Sequence, residues 1–174
     1  MNNFIPDMYQ KSIYHINYDK LLEDGIKCLL FDLDNTCVAY EDKLPNKKLV
    51  ELIETLKDMG FKIIIFSNAT KRRIKPFKDK LNVDALAMAR KPSKKNFLKV
   101  IKLFKYDLSE MAIIGDQLYT DILGGNKVGI RTILVNPMSN KDMFLTTIIY
   151  RPLEKLKFKK FARNNILIKG KYYE

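Results

Sequence analysis

From Gly25 to Val135 the chain alternates short apolar runs with longer amphipathic stretches, and this rhythm constrains the fold more than any other feature. A strand followed by a helix that carries the chain back to the same edge of a sheet makes a parallel βα unit. The spacing predicts five strands: Lys27 to Asp32, Phe61 to Ser67, Ala85 to Ala89, Met111 to Gly115 and Arg131 to Val135. Asn46 to Met59 reads as a helix with Leu49, Leu52, Ile53 and Leu56 along one side and Gly60 as its stop. Lys71 to Leu81 reads as another, which Pro76 should start, kink or divide. Ser93 is placed to cap a helix running through Lys105, and Thr120 a shorter one that soon meets Gly124 and Gly125. The expected fold is α/β, a Rossmann-like three-layer α/β/α sandwich around a five-stranded parallel sheet.

Such a sheet collects its ligands at the carboxyl ends of its strands, so the residues there carry the functional reading. The first strand ends in Asp32-Leu33-Asp34, two carboxylates two residues apart that can face one crevice, one to attack and one to move protons. The second ends in Ser67-Asn68, a hydroxyl and backbone donors beside a helix start, able to hold the oxygens of a phosphate. Lys91 follows the third strand and offers a positive charge, although it is one of 32 Lys and Arg residues. The fourth strand delivers Asp116 and Asp121 to the same edge. Carboxylates gathered about one point repel unless a cation joins them, and oxygen donors of this kind suit Mg²⁺. Asp121 also has a simpler reading as an acid favoured by a helix dipole.

These four motifs, in this order and each at a strand end, resemble those of the haloacid dehalogenase superfamily. Pro6-Asp-Met-Tyr9, Ser12-Ile-Tyr14, Gly25-Ile-Lys27 and the run from Gly115 to Asn126 are similar to its subclass IIIA, YqeG-type phosphatases. The likeness covers roughly Phe4 to Pro137. It implies that Asp32 forms an aspartyl-phosphate and that Asp34 protonates the leaving alcohol and then activates water. It implies phosphoryl binding by Thr36, Ser67, Asn68 and Lys91. Mg²⁺ would be held by Asp32, the Asp34 carbonyl and Asp116, with Asp121 beside it. Members that cleave carbon-halogen bonds lack the second acid and the ATP-driven pumps carry Thr there, so Asp34 implies phosphatase or phosphotransferase chemistry.

Only 30 residues separate Thr36 from Ser67 and only 23 separate Ser67 from Lys91, each interval nearly filled by one helix and one strand. No cap domain fits. Residues 1–137 are therefore read as a capless domain and residues 138–174 as a basic extension packed on it. An uncapped site favours a large substrate presented on a surface over a small free metabolite.

The net charge of +12 fits phosphate esters, nucleic acid or anionic lipid, and equally fits the Lys-, Asn- and Ile-rich drift of an AT-rich coding sequence. Half of it lies after Tyr150, where eight Lys and Arg face only Glu154 and Glu174. No run approaches the roughly 18 apolar residues needed to cross a bilayer, and the first six residues lack the pattern of a signal peptide, so a cytoplasmic chain is expected. Cys28 and Cys37 read as reduced thiols. The resemblance points to phosphatidylglycerophosphate as substrate, and the charge of the basic tail, which lies beyond the likeness, fits contact with an anionic membrane at its inner face. The alternatives are a phosphatase of nucleotides or nucleic-acid ends, and a factor that binds ribosomal RNA.

Overall fold

Six strands, β1 (Met8–Gln10), β2 (Cys28–Phe31), β3 (Lys62–Phe66), β4 (Asp84–Leu86), β5 (Met111–Gly115) and β6 (Arg131–Val135), form one sheet in the order β1-β6-β5-β2-β3-β4. Every pairing is parallel. The computed structural model describes residues 3–143 and 146–174. Met1 and Asn2, at the head of the stretch read for a leader, and Phe144 and Leu145, inside the basic extension, lie outside the described residues.

Alternation along the strands divides the core into two layers. Leu29, Phe31, Ile63, Ile65, Ala112, Ile114 and Ile133 face one side with residues of α1 (Tyr18–Glu23), α2 (Lys47–Asp58) and α3 (Lys71–Leu81). Cys28, Leu30, Ile64, Phe66 and Ile113 face the other, against Phe97 and Val100 of α4 (Lys94–Phe104) and Val128 of α5 (Leu123–Val128). The three-layer sandwich follows from this two-sided burial.

The sheet has one strand more than the five expected. Met8–Gln10 is too short to show alternation and pairs with β6 at the far end of the domain. Its outer edge is covered by the chain end, where the Tyr9 and Tyr173 backbones exchange hydrogen bonds of 2.9 Å in both directions, which closes an otherwise unpaired edge. The strand expected over Ala85 to Ala89 stops at Leu86, because Met88 and Arg90 adopt left-handed φ of 51° and 52° that an extended strand cannot contain. Pro76 neither starts nor divides α3, whose Ile74, Phe77 and Leu81 are buried on both sides of the proline and hold the helix through it. Ser93 precedes α4 without a capping hydrogen bond. Thr120 caps nothing either; it lies inside a π-helical turn, Leu118–Ile122, that runs directly into α5.

The extension forms α6 (Arg151–Arg163), with Pro152 in its first turn. Phe161 and Leu167 pack on Tyr9, Leu118, Ile122 and Leu134. No helix among the described residues is long and apolar enough to cross a membrane. Both cysteines are free and buried; burial pushes the Cys28 thiol up to about 12 and the Cys37 thiol well above its ordinary value. After β2 the chain moves through β3 and β4 on one side and returns through β5 on the other, so the order reverses beside the end of β2. Open α/β sheets bind ligands at such a crevice.

Candidate active site

The register pairs Phe31 with both Ile65 and Ile114, so Asp32, Ser67 and Asp116 leave the sheet along one edge. Asp32, Asp116 and Asp121 converge there: all three are buried, and one carboxylate oxygen from each lies within 4.8 Å of the others. Gly115 makes this approach possible, because a Cβ at that position would collide with the Asp121 side chain.

Two cations hold the acids. The Lys91 ammonium, 2% exposed, donates to Asp32 Oδ1 and Asp121 Oδ1 at 2.6 Å each. Burial alone would lower its pKa, but the two carboxylates outweigh burial and hold it above the ordinary lysine value. The surface position that a lysine would take by default is therefore excluded here. Arg151 donates through Nη2 to Asp116 Oδ2, through Nε to Asp142 Oδ2 at 2.8 Å and through Nη1 to Glu154 Oε2 at 2.9 Å. Glu154 in turn accepts the Leu118 N–H at 2.6 Å, tying α6 to the turn that carries Asp121. Burial raises Asp116 well above the usual carboxylate range; Arg151 opposes this, and Asp32 adds to it. Burial likewise raises Asp121, with Lys91 opposing. A buried acid cluster that favours protons is one that a divalent cation would also relieve.

Asp34 lies apart from the three and is clamped by Arg73, whose Nε and Nη2 both donate to Oδ1 at 2.9 and 2.7 Å. Arg73 also donates to the Asp42 carbonyl. Burial raises the Asp34 carboxyl, the Arg73 hydrogen bond lowers it, and the charge of Asp32 raises it further. Asn35, between the two motif acids, sits at a left-handed φ of 65° that asparagine tolerates. It accepts from the Ser139 N–H at 3.2 Å and donates to the Lys141 carbonyl at 2.7 Å, fixing the loop after β6 over the first motif.

The remaining expected residues divide. Ser67 is buried and lines a cavity of about 320 Å³ with Asp32, Asp34, Asn68 and Lys91. Asn68 accepts the Lys91 N–H at 2.7 Å and donates to the Lys91 carbonyl at 3.2 Å, so it positions the lysine's main chain. Thr36 donates to Asp116 Oδ1 at 3.2 Å and is not among the residues lining the cavity. Met143, Thr146 and Tyr150 line it too, so the extension forms one of its walls. Arg73, Arg151, Glu154 and Asn35 were not anticipated; Glu154, a lone acid in a basic stretch, was the one sequence signal for any of them.

A family model described as haloacid dehalogenase-like hydrolase matches residues 5–129. The chain is 40% identical over 143 residues to the Bacillus subtilis (strain 168) protein named Probable phosphatase YqeG, covering 82% of this chain and 83% of that one. It is 27% identical over 171 residues to Phosphatidylglycerophosphate phosphatase 1, chloroplastic/mitochondrial, of Arabidopsis thaliana, covering 93% of this chain and 49% of that protein. Among solved structures, YfnB of Bacillus subtilis bound to magnesium matches with a TM-score of 0.54 at 16% identity, covering 68% of this chain and 90% of that one. That last likeness is one of fold.

Proposed function

The chain belongs to the haloacid dehalogenase-like hydrolases and is a phosphatase, and from that premise we propose that it is a Mg²⁺-dependent phosphomonoesterase acting through an aspartyl-phosphate on Asp32, with phosphatidylglycerophosphate as substrate. The observation that carries the mechanism is the joining of Asp32 and Asp121 by the buried Lys91, with Asp116 beside them and Asp34 in the same cavity.

Lys91 engages Asp32 through Oδ1, and no hydrogen bond reaches Oδ2 among the described residues, which leaves an oxygen to attack phosphorus. As the Asp32–phosphorus bond forms, the bond to the ester oxygen breaks, and protonated Asp34 gives that oxygen its proton. Asp34, now a carboxylate, takes a proton from the water that attacks the aspartyl-phosphate, and the Asp32–phosphorus bond breaks to release inorganic phosphate. Ser67 and Lys91 hold the phosphoryl oxygens. The residues fit Mg²⁺ by their chemistry: three buried, hard carboxylate oxygens with charge to spare. Asp32, Asp116 and the Asp34 carbonyl would hold it with Asp121 alongside, and when bound it supplies positive charge that neutralises the phosphoryl group as the nucleophile approaches. Magnesium in the fold relative YfnB supports this choice of ion, and the named activity of the Arabidopsis relative supports the lipid substrate.

The test is a phosphoester panel with Mg²⁺, using Asp32→Asn as blank: phosphatidylglycerophosphate, glycerol phosphates, nucleotides and a 3′-phosphorylated oligonucleotide. Highest kcat/KM on the lipid supports the reading; preference for the oligonucleotide or nucleotides overturns the substrate.

Arg73 gives a second test. Formation of the aspartyl-phosphate needs Asp34 protonated, so kcat/KM falls as pH rises through the Asp34 pKa. Arg73 lowers that pKa, so Arg73→Met should move the basic limb of the profile to higher pH. A shift to lower pH, or none, would show that Asp34 is not the acid.

A further inference from the structure

We propose that the outer face of the helix from Thr146 to Arg163 is a docking surface for an anionic lipid bilayer, and that it sets the mouth of the catalytic cavity against the membrane plane. This rests on the reading of a lipid-borne phosphate and adds the surface that would meet it.

The π-helical turn Thr146–Tyr150 continues into α6 without a break, since Tyr150 itself has helical φ and ψ. The inner side of this helix belongs to the enzyme: Thr146 and Tyr150 line the catalytic cavity, and Glu154 and Phe161 are buried. The outer side carries Ile149, Leu153 and Leu156 at i, i+4 and i+7, which is one row of a helix. They are 44%, 38% and 63% exposed, with Ile148 beside them at 55%. An isolated exposed leucine is ordinary, but an aliphatic row on one helix face marks an interaction surface.

The residues around the row indicate its partner. Lys160 and Arg163 continue the row at i+4 and i+7 from Leu156, are exposed and have no acidic partner within ion-pair distance among the described residues, whereas Lys155 and Lys159, also exposed, line a separate cavity with Tyr9, Arg151 and Phe158. The acid on this helix, Glu154, is buried and paired with Arg151. Aliphatic side chains flanked by unpaired cations suit the boundary between acyl chains and anionic headgroups, where each part gains. RNA would engage the cations but has no use for the aliphatic row. Met143 lines the cavity and is 40% exposed, so an exposed apolar side chain borders the cavity on the same extension that carries the row.

The experiment is co-sedimentation of the full chain with mixed phosphatidylglycerol/phosphatidylcholine vesicles and with pure phosphatidylcholine vesicles. It compares wild type with Leu153→Glu/Leu156→Glu and with Lys160→Glu/Arg163→Glu. Wild type should bind the anionic vesicles and not the neutral ones, and each pair should weaken binding by at least about tenfold. Turnover of para-nitrophenyl phosphate should stay at the wild-type level in both variants, which shows that the fold is intact. Failure of wild type to bind, an undiminished affinity of the Leu pair, or binding to duplex RNA that rivals the vesicles and ignores the Leu pair each overturns the proposal. Hydrolysis of detergent-dispersed lipid phosphomonoester without vesicle binding sinks the docking surface alone. Vesicle binding without hydrolysis of the lipid ester sinks the substrate alone.

Discussion

Asp32→Asn is expected to lower turnover of any accepted phosphomonoester by about four orders of magnitude or more, the scale on which loss of a catalytic nucleophile acts, while leaving thermal stability in the absence of metal unchanged or raised. The two halves of this result have one cause. Asparagine keeps the shape of the side chain and the oxygen that accepts from Lys91, but its amide cannot attack phosphorus. It also removes one of three buried carboxylates whose oxygens lie within 4.8 Å of one another. The charge of Asp32 helps to raise both Asp116 and Asp121, so neutralising it relaxes the repulsion that those two acids feel. Steady-state rates on the preferred ester and a thermal melt in chelator check the pair of outcomes. A large drop in melting temperature would mean that Asp32 is held chiefly for structure, and residual turnover near the wild-type rate would remove it as nucleophile.

What the sequence made legible, and what it did not, follows from range. Asp32, Asp34, Asp116 and Asp121 each stand just beyond an apolar run, so their place at one sheet edge could be read from the βα rhythm, and the structure brings Asp32, Asp116 and Asp121 together there. Lys91 could be placed after the third strand, but no local signal distinguishes a lysine 2% exposed between two carboxylates from the many on the surface. Arg73 and Arg151 were beyond reach for the same reason: their partners Asp34 and Asp116 lie 39 and 35 residues away, and the one nearby hint, Glu154 three residues after Arg151, does not point to either acid. The strand Met8–Gln10 depends wholly on its pairing with β6. Thr120 shows the opposite error. A local rule made it a helix cap, whereas the turn from Leu118 to Ile122 directs its hydroxyl to Asp121 at 3.2 Å.

Lys91→Met should destabilise the metal-free protein by about 3–5 kcal/mol, the cost of leaving buried charges without their partner, and this deficit should grow with pH. Methionine fills much of the same space, so the loss is electrostatic more than one of packing. Lys91 is among the forces that lower Asp121, so removing it raises that carboxyl further above its unfolded value of 3.8. A group whose pKa is raised on folding contributes stability that is complete below the unfolded pKa and lost as pH rises through the folded one. The variant should therefore approach wild type in acid, where the carboxyls are protonated, and fall away from it toward neutrality. Melts in chelator at about pH 5 and about pH 8 measure the gap; for a chain of this size it should widen to about 10 °C or more at the higher pH. Mg²⁺ should then raise the variant's melting temperature by more than it raises that of wild type, because a cation among the acids replaces part of the missing charge. A gap that ignores both pH and Mg²⁺ would mean that the lysine's aliphatic stem, and not its charge, holds the site together.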